Sequence, residues 1–207
     1  MTAKSAGLAS VGNQRTAGSR VNSLWVAGRL DLLLELRMPI VVIDAVYDEL
    51  TADPAAYAKD REVKSFLDAH LGAPVILQAT FVGQQAREAR ARGTFTPGRG
   101  IGEAAIVEFL NDGLERLADR NEPVLLLFED ADFRTIHFIR KPDNVHLLST
   151  VAMLRGLEEC GVIPSADAIV DAMVNPPDPA RRCQARRFAD LPRGTDDQAG
   201  SGSRWKP

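Results

Sequence analysis

The sequence predicts an α/β protein built on a parallel sheet, and three observations carry that expectation. Four short apolar runs, at residues 40–43, 74–77, 124–128 and 145–148, have the length of buried strands. Each is followed by a stretch with apolar residues spaced by three and four, the period of an amphipathic helix. Strand and helix in alternation are what right-handed crossovers between parallel strands require.

The elements follow in order. Leu24, Ala27, Leu30, Leu33 and Leu34 form a helical stripe over residues 24–36, which Pro39 closes. The run 40–43 is β-branched throughout. Asp44 is expected to cap a short helix carrying Val46 and Leu50, and a further helix is expected over 56–70. After strand 74–77, Thr80 is placed to cap a helix reaching residue 92. Gly93–Gly100 is a loop, and 102–117 an amphipathic helix with Ile106, Leu110, Leu114 and Leu117 on one stripe. Strand 124–128 leads to a short helix at 132–139. Strand 145–148 leads to a helix over 151–160 that ends at Gly161. Ser165 caps the last helix, to about residue 174.

The chain has 207 residues, of which 45% are hydrophobic and 26% charged. That composition suits one globular domain with polar ends. No apolar run approaches 18 residues, so no membrane span is expected. Residues 1–20 lack an apolar signal segment. Cys160 and Cys183 are far apart, which excludes a disulfide framework and a CxxC site and points to a reducing, cytoplasmic setting. Residues 1–20 show neither period and are expected to form a disordered arm. Residues 175–207, with Pro176, Pro177 and Pro179 at their start, are expected to form a disordered basic tail. The body between them, residues 21–175, is acidic: 15 basic against 24 acidic side chains, where each end carries +3. Such a body does not bind nucleic acid through bulk charge.

Sites in parallel α/β sheets lie beyond the carboxyl ends of the strands, and the acids gather there. Asp44, Asp48 and Glu49 follow the run 40–43, and Glu129, Asp130 and Asp132 follow 124–128. Glu103 opens the intervening helix and shares the stripe of Ile106 and Leu110. Taken singly, each has an ordinary explanation: a helix-dipole partner, a solvated helix acid, a cap. Several carboxylates converging on one crevice repel one another unless a cation holds them. Hard oxygen ligands without a His or Cys cluster select Mg²⁺ or Mn²⁺, and such sites hydrolyse phosphodiesters. His70, His137 and His146 lack zinc-ligand spacing, and neither a GxSxG elbow nor a P-loop is present. The glycines of GRGIGEAA are spaced wrongly for a dinucleotide loop.

The segments IVVIDAVYDEL (40–50), GIGEAAIVEFL (100–110), VLLLFEDADFR (124–134) and VHLLSTVAMLRGLEECGVI (145–163) occur in that order. Together, over residues 21–174, they resemble the PIN-domain family and, within it, VapC-type toxins. The resemblance implies a three-layer α/β/α sandwich around a parallel sheet, and a Mg²⁺- or Mn²⁺-dependent endoribonuclease of a type II toxin–antitoxin pair. It also implies an RNA substrate, an antitoxin partner and a homodimer. By motif, the metal-binding and catalytic acids are Glu49, Glu103, Asp130 and Asp132. Arg87, Arg90, Arg92 and Arg99 would form a phosphate-contacting rim, with a solvated helix face as the plain alternative. The Arg181–Arg187 cluster is expected to solubilise the tail.

One departure stands out. Members of the family open with an apolar strand ending in Asp, then an xNxL-like turn. RVNSLW (20–25) matches the turn and puts Arg20 at the position of the Asp, with the first strand degenerate or missing. A shifted start or reading frame would produce this, and so would a catalytically degenerate PIN-like binding module.

Overall fold

The computed structural model describes residues 8–10, 20–96, 100–117, 119, 124–128 and 144–185. The fold is α/β, and its strands are parallel. Five of them, β1 (Leu8–Ser10), β2 (Ile40–Ile43), β3 (Val75–Gln78), β4 (Val124–Phe128) and β5 (Val145–Ser149), form one sheet in the order β3-β2-β1-β4-β5. All four residues of β2 are buried, as expected of a strand covered on both faces.

The N-terminal segment corrects the expectation of a structureless arm and a missing first strand. Leu8–Ser10 lies at the centre of the sheet. Leu8 is level with Ile40 on one side and Leu125 on the other, and Ser10 with Val42 and Leu127. Three residues, following Gly7 and two short of Gly12, carry no periodic signal. The facing edges of β2 and β4 nevertheless offer hydrogen-bond partners on both sides, and unpaired buried backbone is costly. Position in the sheet thus overrides weak strand propensity. Arg20 is not at a strand end either. It is the first residue of α1 (Arg20–Val26), ten positions past Ser10.

The helix expected over 24–36 is broken in two. Gly28 sits at φ +72°, and the Arg29 N–H donates back to the Leu24 carbonyl at 2.7 Å, so α1 closes in a Schellman turn. A 3₁₀ helix, Leu30–Leu36, follows. Next come α2 (Asp44–Leu50), α3 (Ala58–Ala69), α4 (Phe81–Ala91) and α5 (Ile101–Glu108). The last runs on through a π turn at Phe109–Gly113 and a 3₁₀ turn at Leu114–Arg116. The stripe survives this irregularity, with Ile106, Leu110 and Leu114 all buried. After β5 come α6 (Thr150–Glu159) and α7 (Ala166–Val174), capped by Ser149 and Ser165. Gly161, at φ +73°, closes α6. The helix expected at 132–139 lies outside the described residues.

The C-terminal boundary also moves. Residues 175–185 are folded, and Pro179–Gln184 forms a 3₁₀ helix seated by Arg181 against α1 and α3. Proline ended α7 as expected, but it set up a turn rather than a loose tail. The core runs through the sheet, with Leu24, Leu33, Ile40, Ile43, Leu67, Ile106, Leu125 and Leu126 among its most buried side chains.

Candidate acidic site

The site grows from the end of β2, where the chain turns directly into α2. Ile43, still extended at ψ 137°, precedes the helix without a side-chain cap. Asp44, expected as the cap, is instead the first helical residue, and it is only 1% exposed. A buried carboxylate needs partners. Asp44 Oδ1 accepts from its neighbour's amide, Ala45 N–H, at 2.9 Å and from the Thr80 hydroxyl at 2.7 Å. Its Oδ2 lies 3.2 Å from Arg87 Nη1.

Helix α4 is anchored from two sides. Thr80 is its N-cap, accepting from Gly83 N–H at 3.0 Å. Glu108, at the end of α5, accepts from the Phe81 and Val82 amides at 2.6 and 2.9 Å. These contacts satisfy amides that the first turn of a helix leaves open. They tie α4 to α2 and α5 and aim Arg87 and Arg90 across at α2. Arg87 Nε donates to Asp48 Oδ2 at 2.8 Å, and Arg90 Nη1 to the same oxygen at 3.3 Å. Arg90 also stacks on Phe95, 4.4 Å from the ring centre.

Of the four sequence-selected acids, the structure brings Glu49 and Glu103 together. Glu49, in the last turn of α2, accepts at Oε1 from Gly102 N–H in the first turn of α5 at 3.2 Å. Glu103 follows Gly102 immediately. Burial, then the neighbouring Glu103 charge, push the Glu49 carboxyl up to about 7; Asp48 adds to the rise. The Gly102 amide and Arg90 pull in the opposite direction. Glu49 Oε2 is buried and has no hydrogen-bond partner among the described residues. Asp130 and Asp132 lie outside those residues, as does Arg99. Among the described residues no three His, Cys, Asp or Glu side chains are grouped so as to hold a metal ion.

The basic residues are arranged differently from a free rim. Arg87 and Arg90 neutralise Asp44 and Asp48, and Arg92 lies 3.8 Å from Glu88, an exposed pair one turn back on α4. Asp44, Thr80, Gly83 and Glu108 were not singled out as a unit from sequence. Thr80 was legible as a cap. Its second bond, to Asp44, joins residues 36 positions apart and leaves no local signal.

Comparison with protein-family models, with curated proteins and with solved structures found no match. No helix among the described residues is long and apolar enough to cross a membrane.

Proposed function

We propose that the chain is a PIN-type, Mg²⁺- or Mn²⁺-dependent endoribonuclease, the toxin of a type II toxin–antitoxin pair, with an α/β/α sandwich as its architecture. The observation that carries the reading is the meeting of Glu49 and Glu103. Two carboxylates from separate helices share a half-buried position, and one oxygen, Glu49 Oε2, is without a hydrogen-bond partner among the described residues. A shared cation relieves both the repulsion and the unmet oxygen. The order of the four motifs and the sheet order β3-β2-β1-β4-β5 support the same reading.

In this reading Glu49 and Glu103 hold the ion with Asp130, and Asp132 binds or orients a second ion or a water. The bound ion would supply Lewis acidity toward a phosphate oxygen and activation of a water. The chain's own residues do the positioning. Gly102 N–H fixes the Glu49 carboxylate, and the Arg90 charge favours its ionised form against burial and the Glu103 charge. Arg87, Arg90, Arg92 and Arg99 are the RNA-contacting candidates. Arg90 leads among them, because it lies beside both Asp48 and the Glu49 carboxyl. The antitoxin and a second copy of the chain are the proposed protein partners.

A non-catalytic PIN-like binding module is the second reading. One observation favours it: the central strand ends at Ser10, followed by Val11 and Gly12, without the acid that the family resemblance calls for. Mn²⁺-dependent cleavage of a mixed-sequence RNA, with Glu103→Gln and EDTA controls, separates the two. Cleavage lost in both controls supports the enzyme; cleavage absent from the unaltered chain supports the module.

A further inference from the structure

The Pro-rich sequence after α7 does more than end a helix. Asp178 caps the turn it precedes, accepting from Ala180 N–H at 2.9 Å, and the 3₁₀ helix Pro179–Gln184 then carries Arg181 inward. The Arg181 side chain is 19% exposed and makes four separate contacts. Its Nη1 donates to the Trp25 carbonyl. Its Nη2 donates to Glu62 Oε2 at 3.1 Å, and its Nε lies 3.3 Å from Asp178 Oδ2. The guanidinium lies over the Trp25 ring, 4.9 Å from its centre. The Trp25 indole N–H donates to the same Glu62 oxygen at 2.8 Å, so ring, carboxylate and guanidinium form one closed unit.

The receiving surface is shaped for this cation. Trp25 lies in the last turn of α1, at the negative end of the helix dipole, and its carbonyl accepts from Gly28 N–H at 2.9 Å as well as from Arg181. Gly28 leaves the approach open: a Cβ there would stand 3.1 Å from Arg181 Nη1.

We propose that residues 176–184 are a latch: a C-terminal strap that closes through Arg181 over the seam of α1 and α3, holds α1 in place, and opens without unfolding the rest. The 3₁₀ helix of the strap buries none of its own residues and closes through polar bonds, while Trp25 beneath it belongs to the apolar core shared with β2, β4 and α6. Such an arrangement lets one unit open below the global limit. The proposal is independent of the nuclease reading, since no residue of the acidic site takes part.

The test uses the full chain carrying Trp205→Phe, which leaves Trp25 as the single tryptophan. In that background Trp25, only 3% exposed, is expected to resist acrylamide quenching. Arg181→Gln is expected to raise the quenching constant at least threefold. It should also speed amide exchange across residues 20–28 and 176–184 by tenfold or more, with β2, β4 and α6 unchanged. Arg181→Lys, which keeps the charge but not the planar fork, is expected to fall between. Unchanged quenching and exchange in Arg181→Gln overturn the latch. So does a variant that exchanges faster everywhere or fails to fold, because Arg181 would then belong to the cooperative core and not to a separable strap.

Discussion

Gly83 has no side chain where Asp44 has its carboxylate. A Cβ on Gly83 would overlap the Asp44 carboxylate, Oδ1, Oδ2 and Cγ alike, closer than a Cβ comes to any atom it is not bonded to. The close approach of α4 to the start of α2 is therefore possible only with glycine at this position. It lets Thr80 and Arg87 reach a carboxylate that is almost wholly buried.

Gly83→Ala is expected to push Asp44 out of reach of Thr80 or Arg87. Overpacking and a weakened buried ion pair together cost about 2–4 kcal/mol. Urea unfolding followed by circular dichroism measures this directly. A loss below about 0.5 kcal/mol, the range of neutral surface changes, would show that the helices separate freely and that Asp44 is not a fixed anchor.

Glu49 makes stability depend on pH. Its folded-state carboxyl is raised to about 7 from an ordinary 4.5, so the folded chain holds a proton that the unfolded chain has released across that interval. Stability without metal is expected to fall as pH rises from about 4.5 to 7, and then to level off. The partly exposed side chain limits the effect to about 1–3 kcal/mol. Glu49→Gln is expected to unfold like the parent at pH 4.5 and to be more stable at pH 8. Equal stabilities at pH 8 would mean that the Glu49 carboxyl titrates in its ordinary range.

Glu103→Gln removes the charge facing Glu49 while keeping its shape. The Glu49 carboxyl is expected to titrate lower, the fold to be as stable or more so, and Mn²⁺ affinity to drop by more than about tenfold, over roughly 1.4 kcal/mol, because a direct ligand is lost. RNA cleavage is expected to vanish. Calorimetric Mn²⁺ titration and a gel assay check the two effects separately. Cleavage that survives the substitution, or persists in EDTA, would rule out a metal mechanism through this pair.

The end of β1 at Ser10 gives the question of a missing acid a definite address. Val11→Asp is expected to strengthen Mn²⁺ binding by about tenfold, roughly 1.4 kcal/mol, because it places a carboxylate directly after the central strand. Arg20→Asp, at the start of α1, is expected to change it little. The opposite ranking in the calorimeter would return the ligand position to residue 20 and the family register to the turn at Asn22.

Much of the framework was determined by the sequence alone. β2 and β4 are continuous apolar runs because both of their faces are covered, and they sit where the pattern put them. β3 and β5 match within a residue. Thr80, Ser165 and Gly161 were legible because a cap or a Schellman turn is settled within one helical turn. Tertiary structure alone decided what lies far apart in the chain. Leu8–Ser10 is a strand because β2 and β4 stand open on either side of it, not because of its own residues. Arg87 and Arg90 read as a phosphate-contacting rim or a solvated helix face, and the structure pairs them with Asp48 from 39 and 42 positions away. Arg181 read as part of a solvated tail, and it closes on Trp25 across 156 positions. Polar pairs of this kind are set by the geometry in which the packed layers hold their side chains. They have no period in the sequence because the Coulomb attraction that selects them depends on distance in space, not along the chain.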